Sequence, residues 1–497
     1  MAGVVALTIF LIFYNLTNYP AIWFDEGSHL HVPKTLVRFG VYADYSSEGF
    51  RHYGPTIGVG PTVMLPIAAA FKLFGIGLLQ ARLIMALYLL ATIYAFFRLG
   101  QLLGGQRLAL VASALLISSQ AVSLVEYGRQ VLGEVPGFFF ILVGLTLWFS
   151  NWEKSSWQRL IIVGLLLGLA MVTKHQYLLL LVPSLGLAWL ANLVYYRTAP
   201  QRIFILPGVI AVVCFLLWQA YLVVYLGPNT ATENLAMLRE FTAGAALVLS
   251  PDLMKQALKE MLSFKVYFSW LLPGLIYSFF LALPRRREEQ QWGLLLIMSA
   301  INLSWYVVAS IGWLRYAFPG LAIASLLVAR FFYDLTNGFK VETTFLAALR
   351  RNDFVPKQAF QWVMLLWLAA MIGLPLAQTT KNVVWSDFNA SAAMADYLNK
   401  NVGQDILIET WEPEMGFLTN HNYHFPPQLL LKDAITYVWL NGTPPNQLYD
   451  FVQINQPDYN LVGQFARWVN LYPTELLSSH YDLESSFGVY ELYAAKQ

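Results

Sequence analysis

Long apolar runs without a polar face recur along these 497 residues, and no other feature limits the possible folds so strongly. A helix on a soluble surface keeps a polar stripe opposite its apolar one. A run of about 18 or more apolar residues instead suffices to cross the hydrocarbon core of a bilayer. Candidate spans lie at roughly 3–18, 78–97, 108–124, 135–150, 160–173, 176–196, 203–226, 266–283, 291–311, 316–333 and 358–376. Charged residues make up 12% of the chain, about half the share soluble domains carry. Both observations predict a polytopic membrane protein. Pro61 to Phe74 is apolar but short and holds Pro61 and Pro66, so it reads as an interfacial or re-entrant helix. Met1 to Thr17 has neither a basic leader nor a small-residue cleavage site and is expected to be a retained first span.

Basic residues orient the spans. With the N-terminus inside, one set of loops carries Arg98, Arg107, Lys154, Arg159, Arg197, Arg202, Arg285, Arg286, Arg287, Lys340, Arg350, Arg351 and Lys357. The opposite short loops carry only Arg129, Lys174 and Arg315. Cytoplasmic loops are the ones enriched in Lys and Arg, so the C-terminus is expected outside. The net charge of +2 gives no reason to expect nucleic acid, and 16 Trp with 27 Tyr suit membrane-interface belts. The single cysteine, Cys214, excludes an intramolecular disulfide.

The expected architecture is an all-α polytopic membrane domain of about 11 transmembrane helices over 1–376, with outside segments 19–77 and 227–265. A soluble extracytoplasmic α/β domain over 377–497 follows. Within 227–265, Pro251-Asp252 resembles an N-cap for a helix from Leu253 to Leu262. In the tail, Ser391 to Asn399 and Asn446 to Asn455 read as helices. Asp405 to Glu409, Asp458 to Val462 and Gly488 to Ala494 read as strands. Asn389-Ala-Ser391 and Asn441-Gly-Thr443 are outside sequons.

With this orientation, the unusual polar residues gather on the outer side. Asp25 and Glu26 follow the first span; Glu126, Arg129 and Glu134 precede the fourth. Lys174, His175 and Gln176 fill the hairpin between spans five and six, and Arg315 and Tyr316 open the tenth. Charges near a bilayer are costly unless they face a cavity or one another. Each also has a plainer reading: loop carboxylates for Asp25 and Glu26, a solvated helix end for Glu126, an ion pair for Arg129 with Glu134, snorkelling anchors for Lys174 and Arg315. His29, His31, His52 and His175 are types that can ligate metal, but without tight spacing. A divalent metal therefore remains open, with no metal residue assigned. His421 and His424 are expected at the surface.

The order and sidedness of these residues resemble the GT-C superfamily of membrane glycosyltransferases. The likeness is greatest to its protein O-mannosyltransferase and aminoarabinose transferase branch, whose members use polyprenyl-phosphate sugars. It rests on Asp25-Glu26 after the first span, the outside loop 27–77, and Gly75 with Ala81-Arg82-Leu83 at the second span. It also rests on Glu134 opening the fourth span, Thr173-Lys174, Arg315-Tyr316-x-x-Pro319 and the α/β tail. Relatives often carry a Tyr shortly after Asp-Glu, where this chain has His29 and His31. The resemblance implies an inverting hexosyl- or pentosyltransferase in a bacterial or archaeal plasma membrane, among membrane lipids. Its donor is a polyprenyl-phosphate sugar and its acceptor a lipid, protein or glycan. It implies Asp25 as general base, with Glu26 and Glu134 positioning acceptor or base. Lys174, Arg315 and Tyr316 would hold the donor phosphate, supported by Arg129, His175 and His29. The alternative is a transporter or flippase of lipid-linked sugars, against which stand the scarcity of mid-span charges and the lack of paired halves. An assembly subunit is a third reading.

Overall fold

The structure, a computed structural model, describes residues 2–52, 58–152, 155–339, 356–386 and 388–496. Lys154, Lys340, Arg350 and Arg351 of the basic loops lie outside these residues. Among the described residues, six helices are long and apolar enough to cross a membrane: Leu78–Ser118, Gln176–Tyr196, Arg202–Leu226, Arg287–Ala309, Leu314–Leu335 and Gln358–Val384. Gly3–Phe13, Pro61–Phe74, Glu134–Ser150, Trp157–Thr173 and Leu271–Ala282 are apolar but shorter.

Several boundaries differ from expectation. The runs 78–97 and 108–124 join without a loop, broken only by non-helical Gly104 and Gly105, the latter at φ +80°. A Cβ on Gly100 would lie 3.0 Å from Ala109 Cα. Nine residues of straight helix would separate them by about 14 Å, so the chain doubles back here. The run from 266 starts late as a helix, at Leu271, because Tyr267, Phe268 and Ser269 all adopt positive φ. The last span continues past 376 to Val384. Helix Pro251–Met261 is capped by Ser250, whose side chain accepts from Leu253 N, rather than by Asp252.

The tail folds around a five-stranded sheet ordered β4-β3-β5-β7-β6. These strands are β3 (Leu407–Thr410), β4 (Asn422–His424), β5 (Tyr459–Val462), β6 (Tyr481–Phe487) and β7 (Tyr490–Ala495). β3 runs parallel to β4 and β5; β7 is antiparallel to β5 and β6. Helix Ala390–Asn401 appears close to its expected place, but 446–455 holds only a short turn, Pro445–Gln447, and helix Phe451–Asn455. β4, β6 and helix Leu430–Leu440 were not expected, nor was a hairpin of β1 (Asp44–Ser46) and β2 (Gly49–Arg51) within segment 19–77.

That loop is bolted to the tail. Helix Phe24–Phe39 lies against helix Pro413–Leu418 so closely that a Cβ on Gly27 would be 2.3 Å from Glu414 N. Lys34 Nζ donates to the carbonyls of Gly416, Phe417 and Thr419 at 2.7, 3.0 and 2.6 Å. A cation is well placed at the C-terminal end of a helix, where carbonyls lack intrahelical partners. His31 bonds the Pro413 carbonyl at 2.7 Å and pairs with Asp44 at 2.7 Å.

His421 and His424 are buried, not on the surface. His424 Nδ1 meets fully buried Glu409 at 2.6 Å, and its Nε2 lies 3.5 Å from Glu48 in the β1–β2 turn. Tyr449 and Asn455 complete the surroundings. Burial opposes charge on His424, but the hydrogen bond and charge of Glu409, with Glu48, outweigh it and hold the imidazole above its usual range. A raised folded-state value means stabilisation that is full below about pH 6.5 and lost as pH rises through the folded value. Amide protection factors in residues 44–51, which divide out the intrinsic base-catalysed exchange rate, are therefore expected to be higher at pH 5.5 than at pH 8.5, the contrast vanishing in His424→Gln. An equal contrast in that variant excludes His424 as its source.

Candidate active site

Four helix ends meet on one side of the helical body. Asp25 lies in the first turn of Phe24–Phe39, and Glu134 is the first residue of Glu134–Ser150. Lys174 caps the C-terminus of Trp157–Thr173, and Arg315 sits in the turn Leu314–Ala317 leading into Phe318–Leu335. Carboxylates at N-termini and an ammonium at a C-terminus each complement the local backbone dipole. Helix Pro61–Phe74 braces the Lys174 end: Gly60 N donates to Thr173 O at 2.9 Å, and the Thr62 and Thr173 hydroxyls bond at 2.6 Å.

The side chains form an alternating series. Arg315 Nη2 lies 2.6 Å from Asp25 Oδ2, and Arg315 Nε lies 3.2 Å from Glu134 Oε1. Lys174 Nζ pairs with that same Glu134 oxygen. The guanidinium rests between Trp313, at 4.2 Å, and Trp23, at 5.7 Å, and cation–π attraction favours such a place. Tyr316 stacks on Trp305 at 5.6 Å. Glu134 is wholly buried, whereas the Asp25 side chain keeps 22% exposure, the most of the four. Arg315 Nη1 and Glu134 Oε2 are buried without a hydrogen-bond partner. The arrangement thus offers a fixed, incompletely satisfied cation beside an accessible carboxylate.

Other expected site residues are placed differently. Glu26 does not share the cluster, because consecutive helical residues project about 100° apart. It is fully buried against Arg82: Nε to Oε1 is 2.9 Å and Nη2 to Oε2 is 2.5 Å, while Val131 N also donates to Oε1 at 3.1 Å. Arg82 Nη1 further donates to Leu16 O and Pro20 O, both at 2.8 Å. Arg129 makes no ion pair with Glu134; it donates to Leu11 O and Tyr14 O at 2.7 and 2.6 Å, tying down the end of the first helix. His29 bonds Val131 O at 2.8 Å, and His175 accepts from Gln219 at 3.3 Å. Burial pushes both imidazoles down to about 4, leaving them neutral at pH 7.

The imidazoles considered as metal ligands are dispersed, with His31 held by Asp44 and Pro413 and His52 edge-on to Tyr225. No three His, Cys, Asp or Glu side chains among the described residues are grouped to hold an ion. Asp25 and Glu134 face cations of the chain itself, so this donor set does not fit a divalent metal. Sequence reasoning missed Trp23, Trp305 and Trp313; Trp23 and Trp313 each stand two residues before a charged member, Asp25 and Arg315.

A bundle of apolar helices that carries this cluster and is followed by an α/β tail is a fold shared with solved polyprenyl-phosphate-binding membrane proteins. Residues 59–221 match the family described as dolichyl-phosphate-mannose-protein mannosyltransferase. ArnT from Cupriavidus metallidurans, solved bound to undecaprenyl phosphate, is similar with a TM-score of 0.66 at 14% identity, over 99% of this chain and 97% of that one. The oligosaccharyltransferase AglB from Archaeoglobus fulgidus, solved with an inhibitory peptide and a dolichol-phosphate, is similar with a TM-score of 0.57 at 12% identity, over 99% and 74%. No curated protein sequence matches the chain.

Removing one partner of a buried ion pair strands the other, at a cost of about 3–5 kcal/mol. Arg82→Met is expected to destabilise the solubilised protein on that scale, measured by thermal unfolding. Arg82→Met combined with Glu26→Leu should unfold later than the single variant, since no charge is then stranded. Equal unfolding of the two would mean that Glu26 does not depend on Arg82.

Proposed function

We propose that the chain transfers a sugar from a polyprenyl-phosphate carrier to an acceptor on the outer side of the membrane. The observation that carries this reading is Arg315, a buried cation with Nη1 unpaired, set beside Lys174 and within 2.6 Å of accessible Asp25. Support also comes from the mannosyltransferase family match and from relatives solved with undecaprenyl phosphate and dolichol-phosphate. A flippase is not favoured by these likenesses.

In this reading the acceptor's nucleophilic oxygen or nitrogen attacks the anomeric carbon while Asp25 takes its proton. The bond from that carbon to the phosphate oxygen breaks, and polyprenyl phosphate leaves with the electron pair. Single displacement inverts the anomeric centre. Charge on the phosphate grows as the bond breaks, so cations fixed beforehand favour the transition state over the bound donor. Arg315 and Lys174 fill that role; Glu134 holds both in place, and Tyr316, through Trp305, walls the site. The sugar, hexose or pentose, and the acceptor class, lipid, protein or glycan, are left open by these residues.

Asp25→Asn keeps shape but cannot accept the proton. Single turnover at saturating donor is expected to fall by on the order of a hundredfold or more, the scale of a lost general base, with donor binding retained. Arg315→Lys keeps the charge but loses the planar fork, so donor affinity should weaken. Near wild-type turnover in Asp25→Asn would move the base to Glu134; unchanged affinity in both Arg315→Ala and Lys174→Ala would remove the phosphate clamp.

The reading includes eleven spans, an inside N-terminus and an outside α/β domain after the last span. Single cysteines in a Cys214→Ala background test it in intact cells. Position 479 should react with an impermeant thiol reagent and position 286 should not. Labelling at 286 reverses the orientation.

A further inference from the structure

A cavity of about 710 Å³ lies apart from the charged cluster, and none of Asp25, Glu134, Lys174 or Arg315 lines it. Its size falls within the roughly 300–1,000 Å³ of small-ligand pockets. Its walls come from Tyr19, from the stretch between Ser119 and Glu126, from Phe264 to Phe268, and from Leu374 to Asn382 of the last helix.

The lining is graded along that helix: Leu374 and Pro375 come first, then Gln378 and Thr379, then Asn382. Four helical residues rise about 6 Å, so an apolar half and a polar half are separated by little more than a turn. The apolar half is extended by Phe264 and Phe268, stacked at 4.1 Å and edge-on to Trp367 at 6.3 and 6.1 Å. Trp367 stands eleven residues before Gln378, about 16 Å along the axis. The polar half gathers Gln120, Glu126, Gln378 and Asn382, with Gln378 donating to Asn382 at 2.8 Å. Amides and hydroxyls prevail there, and Lys265 is the one basic residue in the lining. The last helix is the least buried of the six long apolar helices, so this wall stands toward the bilayer. Burial raises the Glu126 carboxyl above its ordinary range; ionised it repels an incoming phosphate, and neutral it can exchange hydrogen bonds with a hydroxyl.

We propose that this cavity binds a membrane amphiphile with a neutral, hydroxyl-rich head such as a sugar, its chain passing over Phe264, Phe268 and Trp367 into the bilayer. Hydroxyls can give and take hydrogen bonds with the amides of Gln120, Gln378 and Asn382, while the aromatic trio offers apolar contact to an acyl or prenyl chain. The proposal goes beyond the transfer reaction and stands on the cavity alone. The two sites do share one element: Glu126 lines the cavity, while the next residue, Tyr127, packs edge-on to Phe318 at 6.2 Å, three residues from Arg315.

The test uses the full chain in phosphatidylcholine nanodiscs with a photoactivatable monoglucosyl diacylglycerol. Photoactivatable phosphatidic acid serves as the anionic counterpart, and crosslinks are mapped by mass spectrometry. The glucolipid is expected to label 119–126 and 374–382 well above phosphatidic acid. Thr379→Trp fills the space, and Gln378→Leu removes an amide without filling it. Each should lower that labelling by about threefold or more, the net scale of one hydrogen bond, with polyprenyl-phosphate binding unchanged. Equal labelling by both lipids, or labelling undiminished in both variants, overturns the proposal. Loss of donor binding in Arg315→Ala is read separately, so failure of one assignment does not imply failure of the other.

Discussion

Arg82 is the residue on which the surroundings of the charged cluster turn. Its guanidinium reaches Glu26, Leu16 and Pro20 at once, and Glu26 in turn receives Val131 N. Three parts of the chain distant in sequence are thereby fixed around one fully buried pair: residues 16–26, the helix Leu78–Ser118 that carries Arg82, and the segment before Glu134. A buried ion pair earns its place only with good geometry and satisfied partners, and here every arm of the guanidinium has an acceptor. Arg129 repeats the device one layer away by closing the Leu11 and Tyr14 carbonyls.

The charged cluster depends on that frame. With Glu26 locked inward, its neighbour Asp25 must face Arg315. With Val131 held, Glu134 opens its helix beneath the same guanidinium. The cluster then balances two carboxylates against two cations in a place where unpaired charge is costly. Asp25 Oδ2, Arg315 Nε, Arg315 Nη1 and Glu134 Oε2 of this cluster are buried without a hydrogen-bond partner. In the proposed transfer, cations fixed in this way would stabilise the departing phosphate.

Much of this was legible in the sequence. Composition and run length mark a helical membrane protein, and Asp25, Glu134, Lys174 and Arg315 stand out because charges at a membrane face require a reason. Their convergence, however, depends on how helices pack, which spacing along the chain does not encode. Glu26 is next to Asp25 in sequence, but a helix sends the two in different directions. Arg129 and Glu134, five residues apart, likewise form no ion pair, since Arg129 turns to the carbonyls of Leu11 and Tyr14. The tail's short strands β4 and β6 escaped because three to seven residues give weak periodicity. His424 looked like a surface residue because its partners, Glu409 and Glu48, come from separate parts of the chain.

The contact at Gly27 limits what can be exchanged between relatives. Helix Phe24–Phe39 meets residues 413–419 backbone against backbone, with Lys34 reading three carbonyls of that segment. Such an interface has almost no side-chain tolerance, so it cannot be adapted by a few compensating surface substitutions. An α/β domain grafted from another member of this fold would need the same backbone path there, however well it folded by itself. The tail is therefore inherited together with the helix that carries Asp25, as one unit rather than as an interchangeable head.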